Sequence, residues 1–589
     1  MPRTLLTTPT TEFIWSPDGR RLSYVEADKV GWVDLASSAK REIAKEQSMA
    51  RLLGWDAKDD SIVFATSTIG PPPAYRLQNK AWRIHSDGGV PQEMKWPEDS
   101  LVRTALSSDL SRVAYSVSGA GYYANLADLG APTRIPDPSP RFLSWSADGR
   151  SLLYLTGTDV RLLDVERGIA RTLRVSPEYR TPLAPQPLFI RNVHIIDGTG
   201  AAASVASDIL VSGGRIRRIA PAGMIASRAG VREIEGAGRY LLPGLFNVHI
   251  HRTPYLPFTS ALLYNGVLAI RDVGMDAEWM QSQRERMEAG EFLSPRTFMT
   301  GGLVVTESGV SFSNQRAVDP RDPKSVSAAV SAMSAAGADW IKPYFRDALL
   351  DARVIEAGHA QGLPVTSHYV FLSSLARGLN GKEHADLLYR GYTEIYRQDV
   401  LAALRAADIV VTPTLVSWSA MMAGRSPVVP LEDKFLDNPT LTVFYPPSVL
   451  KQAREDMRQP IPERTMELMK KYQRWEIESV KKLRDDGIRI ATGTDIGPPW
   501  NEMGVHLEME LLVKAGLTPL EAIRAATLES ARCLGAERDL GTVETGKLAD
   551  FILVDGDPSQ DIRRTREIQL IVLGGQPYTR QEILDRVRR

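Results

Sequence analysis

The chain has 589 residues, 43% hydrophobic and 24% charged, a length for two or three domains and a composition that excludes a disordered or fibrous chain. Its 71 basic and 71 acidic side chains leave no formal net charge, so the broad basic footprint of a nucleic-acid binder is missing. One cysteine, Cys533, excludes an intrachain disulfide and a thiolate metal cage. No segment has the apolar length of a membrane span, and Met1 to Gly19 lacks the apolar core of a signal peptide. The expectation is a cytoplasmic protein with no membrane or nucleic-acid partner.

Four blocks in the first third can be laid over one another: WSPDGRRLSY from Trp15, WDAKDDSIVF from Trp55, LSSDLSRVAY from Leu106 and WSADGRSLLY from Trp145. Each has a large apolar residue, a polar turn with Asp, and a strand ending in Tyr24, Phe64, Tyr115 or Tyr154. Asp18-Gly19 and Asp148-Gly149 are hairpin-turn chemistry, because Gly accepts positive φ. A period of roughly 40–50 residues built from short strands predicts propeller blades, and four is the lower end of closed propellers. A β-sandwich with turns at similar intervals is the alternative. The blocks resemble the SPDG repeats of TolB-like β-propellers. His85 stands alone here, so residues 1–181 are expected to be propeller-like repeats without catalytic groups.

Pro182 to Pro187 (PLAPQP) reads as a linker. Leu188–Ile196 and Ile209–Ile219 follow as short strands with turns at Asp197-Gly198 and Gly213-Gly214. From Gly244, strands alternate with helical stretches, the pattern of a parallel sheet or barrel. The candidate strands are Leu245–His251, Val267–Asp272, Arg296–Thr300, Trp340–Tyr344, Pro364–Tyr369, Gly381–His384, Ile409–Pro413 and Ile488–Thr494. Eight is the number that a (β/α)8 TIM barrel needs. Strand-like runs return at Phe551–Val554 and Leu570–Leu573. The expected architecture is a distorted barrel over 244–540 with a small composite β-sandwich domain from 187–243 and 541–589.

His249 and His251, in LPGLFNVHIH, lie one residue apart on a strand. Side chains at i and i+2 share a face, so both imidazoles can grip one ion. In DWIKPYF, Trp340, Lys342 and Tyr344 alternate toward one face, and a lysine in an apolar strand is costly unless paired or modified. His368 ends PVTSHY with Tyr369, His384 ends GKEH, and Asp495 ends IRIATGTD. Active sites on such barrels form at the C-terminal strand ends. Six candidate ligands at those ends point to a metal centre.

From Pro187 onward the chain resembles the amidohydrolase superfamily, in its imidazolonepropionase-like and prolidase-like branch. The resemblance rests on LPGLFNVHIH, GVLAIRDVG, GADWIKPY, VTSHY, the Glu383-His384 pair, ATGTDIG, LTPLEAIRAATLESARCLG and GTVETGKLADFILVDGDP. It implies two divalent metal ions, zinc first among them. His249, His251 and Asp495 would hold the more buried ion, and His368 and His384 the more exposed one. Lys342, N-carboxylated by CO2, would bridge the ions together with a hydroxide. A carbamate supplies negative charge where a free ammonium would be repelled, and Asp495 would pass a proton to the leaving amine.

Two positions depart from the family pattern: Asn247 stands where an Asp commonly precedes the first His, and Ala385 where Gly commonly follows the Glu-His pair. His506 matches a place where relatives carry a substrate-facing His, making it a catalytic and substrate-binding candidate; its rival reading is a helix-start histidine. Tyr344 and Tyr369 are candidates for the substrate wall or for packing. Arg271 would bind a substrate carboxylate or form a structural ion pair. His359 reads as surface, His194 as remote from the ligand strands, and Cys533 as core. The stretch Val416 to Arg474 interrupts the last βα step, with Phe444-Tyr445-Pro446-Pro447 as pocket lining or helix packing.

The expected function is a binuclear metal-dependent amidohydrolase, possessing a small-molecule substrate and forming a homo-oligomer. It would cleave a C–N bond in a dipeptide, N-acyl amino acid or related small amide by attack of the metal-bridging hydroxide. A lactone, carbamate or phosphotriester would suit the same hydroxide. The reading from another class is a catalytically inert binding protein based on the propeller.

Overall fold

The computed structural model describes residues 13–26, 29–44, 51–56, 58–69, 77–96, 104–117, 120–137, 140–156, 159–174, 185–226, 230–251, 256–275, 277–306, 315–318, 322–344, 347–385, 396–417, 435–445, 447–458, 460–497 and 499–587. The chain divides into two compact units, Met1–Glu178 with Thr306–Asp319, and Tyr179–Val305 with Pro320–Arg589.

The first unit has a propeller-like arrangement of four antiparallel sheets, each of four strands in chain order. The second strands are Arg21–Glu26, Ser61–Ile69, Arg112–Val117 and Ser151–Thr156. On them Tyr24, Phe64, Tyr115 and Tyr154 are buried, as the repeat predicts. The apolar cores join successive sheets: Val30 and Ile43 pack with Trp55 and Phe64, and Ala114 and Ile135 with Leu152 and Tyr154. Trp145 reaches the preceding sheet, its Nε1 donating to the Ala105 carbonyl at 3.1 Å.

A repeated turn explains three of the four blocks. The hydroxyls of Ser16, Ser107 and Ser146 donate to Asp18, Asp109 and Asp148 at 2.6, 2.7 and 2.6 Å. Each serine oxygen also accepts a backbone amide, from Arg21, Arg112 and Ser151 respectively. Gly19 and Gly149 have φ 69° and 67°, and Leu110 takes the same left-handed position at φ 51°. Leu110 is buried at 9% exposure, so packing holds a conformation its side chain disfavours.

In the second unit, one eight-stranded sheet runs Arg215–Pro221, Ser207–Ser212, Leu188–Ile195, Tyr240–Pro243, Phe551–Val554, Ile568–Leu573 and Gln576–Tyr578, with Arg232–Glu235 also on Leu188–Ile195. Its core includes Ile190, Val193, Leu241, Phe551 and Val572. Parallel strands make up the rest. Leu245–Ile250, Val267–Asp272 and Arg296–Met299 pair in turn, and Leu303–Thr306, which the sequence reading lacks, pairs with Lys342–Pro343. Thr366–Ser367, Gly381–Glu383, Val410–Thr412 and Arg489–Ile490 pair in the same sense. Ile341 bridges Val365, and the Val248 amide donates to the Thr492 carbonyl at 2.9 Å, bringing the last strand beside the first.

Helices cover these strands for local reasons. Asp322 caps Pro323–Ala335, whose Val326, Val330 and Met333 recur at helical spacing and are buried. Asp347 caps Ala348–Ala360 in the same way. Phe444 is buried with its ring 5.4 Å from that of Tyr264, which is the packing alternative. Residues 418–434 and Pro446 of the expected insertion, and Pro182 to Ala184 of the expected linker, lie outside the described residues. Among the described residues no helix is long and apolar enough to cross a membrane.

The turn chemistry makes a titration prediction. The Ser107 hydroxyl, above all, holds the Asp109 carboxyl down at about 2, against burial. A folded-state pKa below the unfolded one contributes stability above the unfolded value, and loses it as pH falls through the folded pKa. Asp109 should therefore titrate near pH 2 by NMR, and Ser107→Ala should move its midpoint up toward the ordinary carboxylate range. An unchanged midpoint in that variant would remove the hydroxyl as the cause.

Candidate metal centre

The centre is built where the parallel strands end. His249 and His251 leave the Leu245–Ile250 strand with ring centroids 5.3 Å apart. Asp495 lies between them, its Oδ1 at 3.6 Å from His249 Nε2 and 3.3 Å from His251 Nε2. His384 joins from another strand end, with Nδ1 at 3.9 Å from Asp495 Oδ2 and its ring 4.8 Å from that of His249. Lys342 Nζ stands 3.2 Å from His249 Nε2. His368 is brought in through His384, the two rings 4.4 Å apart. The six side chains expected to act as ligands thus form one continuous cluster.

Backbone strain is present there. His384 has φ 71° and Asp495 φ 50°, left-handed conformations that persist only where surrounding contacts over-determine them. Thr414, whose Oγ1 is 2.7 Å from His384 Nδ1, has φ 51°. Close packing adds to the constraint: a Cβ on Gly493 would fall 2.5 Å from His249 Cβ, and one on Gly274 2.6 Å from His251 Nδ1.

Glu383, named from the sequence only as half of the Glu383-His384 pair, has a role that the sequence reading did not assign. Its Oε2 is 2.5 Å from His249 Nδ1, while Oε1 accepts from Arg271 at 2.6 Å and from Thr366 at 2.5 Å. Burial works against this carboxylate, but the charges of Arg271 and Lys342 prevail and hold it below the usual range. An ionised carboxylate only accepts, so Nδ1 of His249 carries the proton and Nε2 presents its lone pair to the cluster. The only signal in the sequence was an acid inside a buried strand, beside a candidate ligand.

Burial is the main electrostatic force on the other groups. It holds His249 and His384 well below the usual histidine range, so both are neutral imidazoles. It draws Lys342 down to about 8 and pushes Asp495 up to about 6. The residues fit a divalent metal on two grounds. His249, His384 and Asp495 offer ligand atoms all within 4.8 Å of one another. His249 also has the carboxylate partner on its far nitrogen that orients metal-binding imidazoles. Neutral imidazole with carboxylate is a donor set that zinc accepts.

Two expected substrate contacts are corrected. Arg271 is fully buried; besides Glu383 it donates through Nε to the Val248 carbonyl at 2.7 Å, and it lies 4.7 Å from the Trp340 ring. It is a structural ion-pair partner, unable to meet a substrate carboxylate. His506 does not join the cluster and does not open its helix, Asn501–Lys514, but lies inside it. Its Nδ1 bonds Thr565 Oγ1 at 2.9 Å and its Nε2 the Asn265 carbonyl at 3.0 Å, so both ring nitrogens are engaged in holding the fold.

Tyr344 and Tyr369 place their rings 4.9 and 4.7 Å from His368. Asn247, the departure from the family pattern, donates to Thr494 Oγ1 at 2.8 Å. His359 is exposed and bonds Asn380, and His194 bonds the Ser204 carbonyl. Cys533 is core, its thiol pushed up to about 11 by burial.

The profile of the Amidohydrolase family matches residues 240–577, more than half of the chain, and the chain belongs to that family. An imidazolonepropionase of Sphingopyxis alaskensis is 37% identical over 89 residues, which is 14% of this chain and 22% of that protein. The match therefore spans about a fifth of that relative's length. The structure of a Xaa-Pro dipeptidase with bound methionine has a similar fold, with a TM-score of 0.51 at 20% identity, covering 67% of this chain and 100% of that one. A molinate hydrolase gives 0.52 at 17% identity, covering 68% and 96%.

The assignment of Arg271 can be checked by unfolding. Removing one partner of a buried pair leaves an uncompensated charge, at a cost of about 3–5 kcal/mol. Arg271→Ala should lose stability on that scale in denaturant titrations. A variant of unchanged stability with weakened substrate binding alone would restore the discarded role.

Proposed function

We propose that the protein is a metal-dependent hydrolase that cleaves the C–N bond of a small amide, with a dipeptide or N-acyl amino acid as first substrate class. The observation that carries this reading is the convergence of His249, His251, Lys342, His384 and Asp495, with His368 against His384, from separate strand ends. In this reading the centre sits on a distorted (β/α)8 barrel formed by 244–540. Residues 187–243 and 541–589 form a composite β-sandwich domain, and 1–181 the propeller-like repeats. The dipeptide class is supported by the Xaa-Pro dipeptidase among proteins of similar fold.

His249, His251 and Asp495 would hold one zinc ion and His368 and His384 a second, with Lys342 carboxylated on Nζ between them. When bound, such ions polarise a scissile carbonyl and lower the pKa of a water. The chain's own groups supply direction. Glu383 fixes the His249 tautomer. Asp495 faces three imidazoles, where its carboxylate would take a proton from the attacking water and return it to the leaving nitrogen as the C–N bond breaks. Tyr344 and Tyr369, beside His368, would form the wall against which the substrate's side chain rests.

Metal analysis together with a hydrolysis screen over dipeptides, N-acyl amino acids, lactones and phosphotriesters tests the reading. Turnover confined to the amides is expected. Less than about one ion per chain, with no turnover, would favour an inert scaffold whose repeats bind a partner. His249→Ala combined with His251→Ala should abolish both metal binding and hydrolysis; full metal content with normal turnover would sink the ligand assignment.

Lys342 has its own test. Lys342→Ala should lose metal and turnover together, and acetate or propionate with excess zinc should restore part of the turnover by occupying the gap. A variant that keeps its metal, binds substrate poorly and ignores the added acid would mark Lys342 as a plain cation.

A further inference from the structure

Glu508 lies inside the Asn501–Lys514 helix, two residues beyond His506, and is fully buried. Its Oε1 accepts the Leu415 amide at 3.0 Å and its Oε2 the Val416 amide at 2.8 Å. These two amides belong to a turn that follows the Val410–Thr412 strand and is closed by the Ser417 amide on the Thr414 carbonyl at 3.0 Å. The residue that precedes the clamped pair reaches the centre. Thr414 Oγ1 bonds His384 Nδ1 at 2.7 Å. We propose that Glu508 is a positioning residue of the metal centre: by holding the turn from Thr414 to Ser417, it aims His384. This rests on the hydrolase reading above.

The residue type supports the role. Two neighbouring N–H groups need two acceptors side by side, and among side chains of this length only a carboxylate presents both. Glutamine would turn an NH2 toward one of the amides. Packing alone would be served by an apolar residue, whereas a buried carboxyl is costly unless its oxygens are hydrogen-bonded, as these are by the Leu415 and Val416 amides. The turn also needs a restraint. Thr414 is β-branched and sits at φ 51°, a conformation that such residues rarely adopt unless held. The helix is itself fixed by His506 on Thr565 and on the Asn265 carbonyl, so it offers a rigid mount. Partners that orient metal ligands typically change metal affinity by roughly 10–100-fold when lost.

The experiment compares Glu508→Gln, Glu508→Asp and Leu512→Ala in the full chain. Leu512 is buried one turn further along the same helix and controls for general loosening. Zinc affinity is measured by competition with a chromophoric chelator, and amide exchange by mass spectrometry on peptides covering 410–417. Glu508→Gln should lose roughly tenfold or more in zinc affinity, with kcat reduced more than KM, and its Leu415 and Val416 amides should exchange faster. Glu508→Asp, which keeps both acceptors, should recover part of each. Leu512→Ala should lower thermal stability and leave zinc affinity unchanged. Unchanged exchange or zinc affinity in Glu508→Gln, or an equal loss of affinity in Leu512→Ala, would overturn the proposal. A wild-type chain that binds no zinc would instead overturn the hydrolase reading, and exchange at the two amides would still decide whether Glu508 holds the turn.

Discussion

The ion pair between Arg271 and Glu383 underlies the whole centre. Both side chains are fully buried, and the carboxylate has three claimants: the guanidinium, the Thr366 hydroxyl and His249 Nδ1. Arg271 also grips the Val248 carbonyl, so one charged pair ties together Leu245–Ile250, Val267–Asp272, Thr366–Ser367 and Gly381–Glu383. In a low-dielectric interior each of these bonds is stronger than in water, and each partner would be costly to leave alone. The pair therefore fixes strand register and the proton position on His249 at once.

What the sequence displayed and what it hid follow from the range of each constraint. The His249–His251 pair was legible because strand geometry alone puts i and i+2 on one face. The repeated blocks were legible because a serine, an aspartate and a left-handed residue must recur within a few positions. Even there Leu110 is unexpected, since its turn geometry is supported by burial between sheets. Glu383 was opaque because Arg271 and His249, two of its three partners, lie 112 and 134 residues away, and nothing near it in the chain announces them. Arg271 and His506 were read toward substrate because residue type does not say which way a side chain points. One turned into the strands and the other toward Asn265, which precedes the Val267–Asp272 strand at the end away from the centre.

Buried acids recur beside the ligand-bearing elements. Glu383 attends His249, and Glu508 holds the turn that touches His384. Asp351, its carboxyl pushed up to about 6 by burial, accepts from Ser367, the neighbour of His368, at 3.0 Å and also from Ser374. Apolar packing fills volume and tolerates small rotations; an acceptor with defined lone pairs does not. Buried charge is weak evidence for stability, yet it is a means of setting direction. Around a cluster of imidazoles, direction is the quantity that matters.

The sheet that joins Tyr240–Pro243 to Phe551–Val554 has a consequence for the order in which the molecule is made. Each four-stranded sheet of the first unit is completed by consecutive strands, so it can form as it leaves the ribosome. The second unit has no such option. Leu241 and Leu242 wait with an open strand edge while every parallel strand is synthesised, and only the arrival of Phe551–Val554 covers them. During that interval the nascent chain carries an apolar edge able to pair with another copy of itself. The Phe551–Val554 strand is thus the closing seam of this sheet.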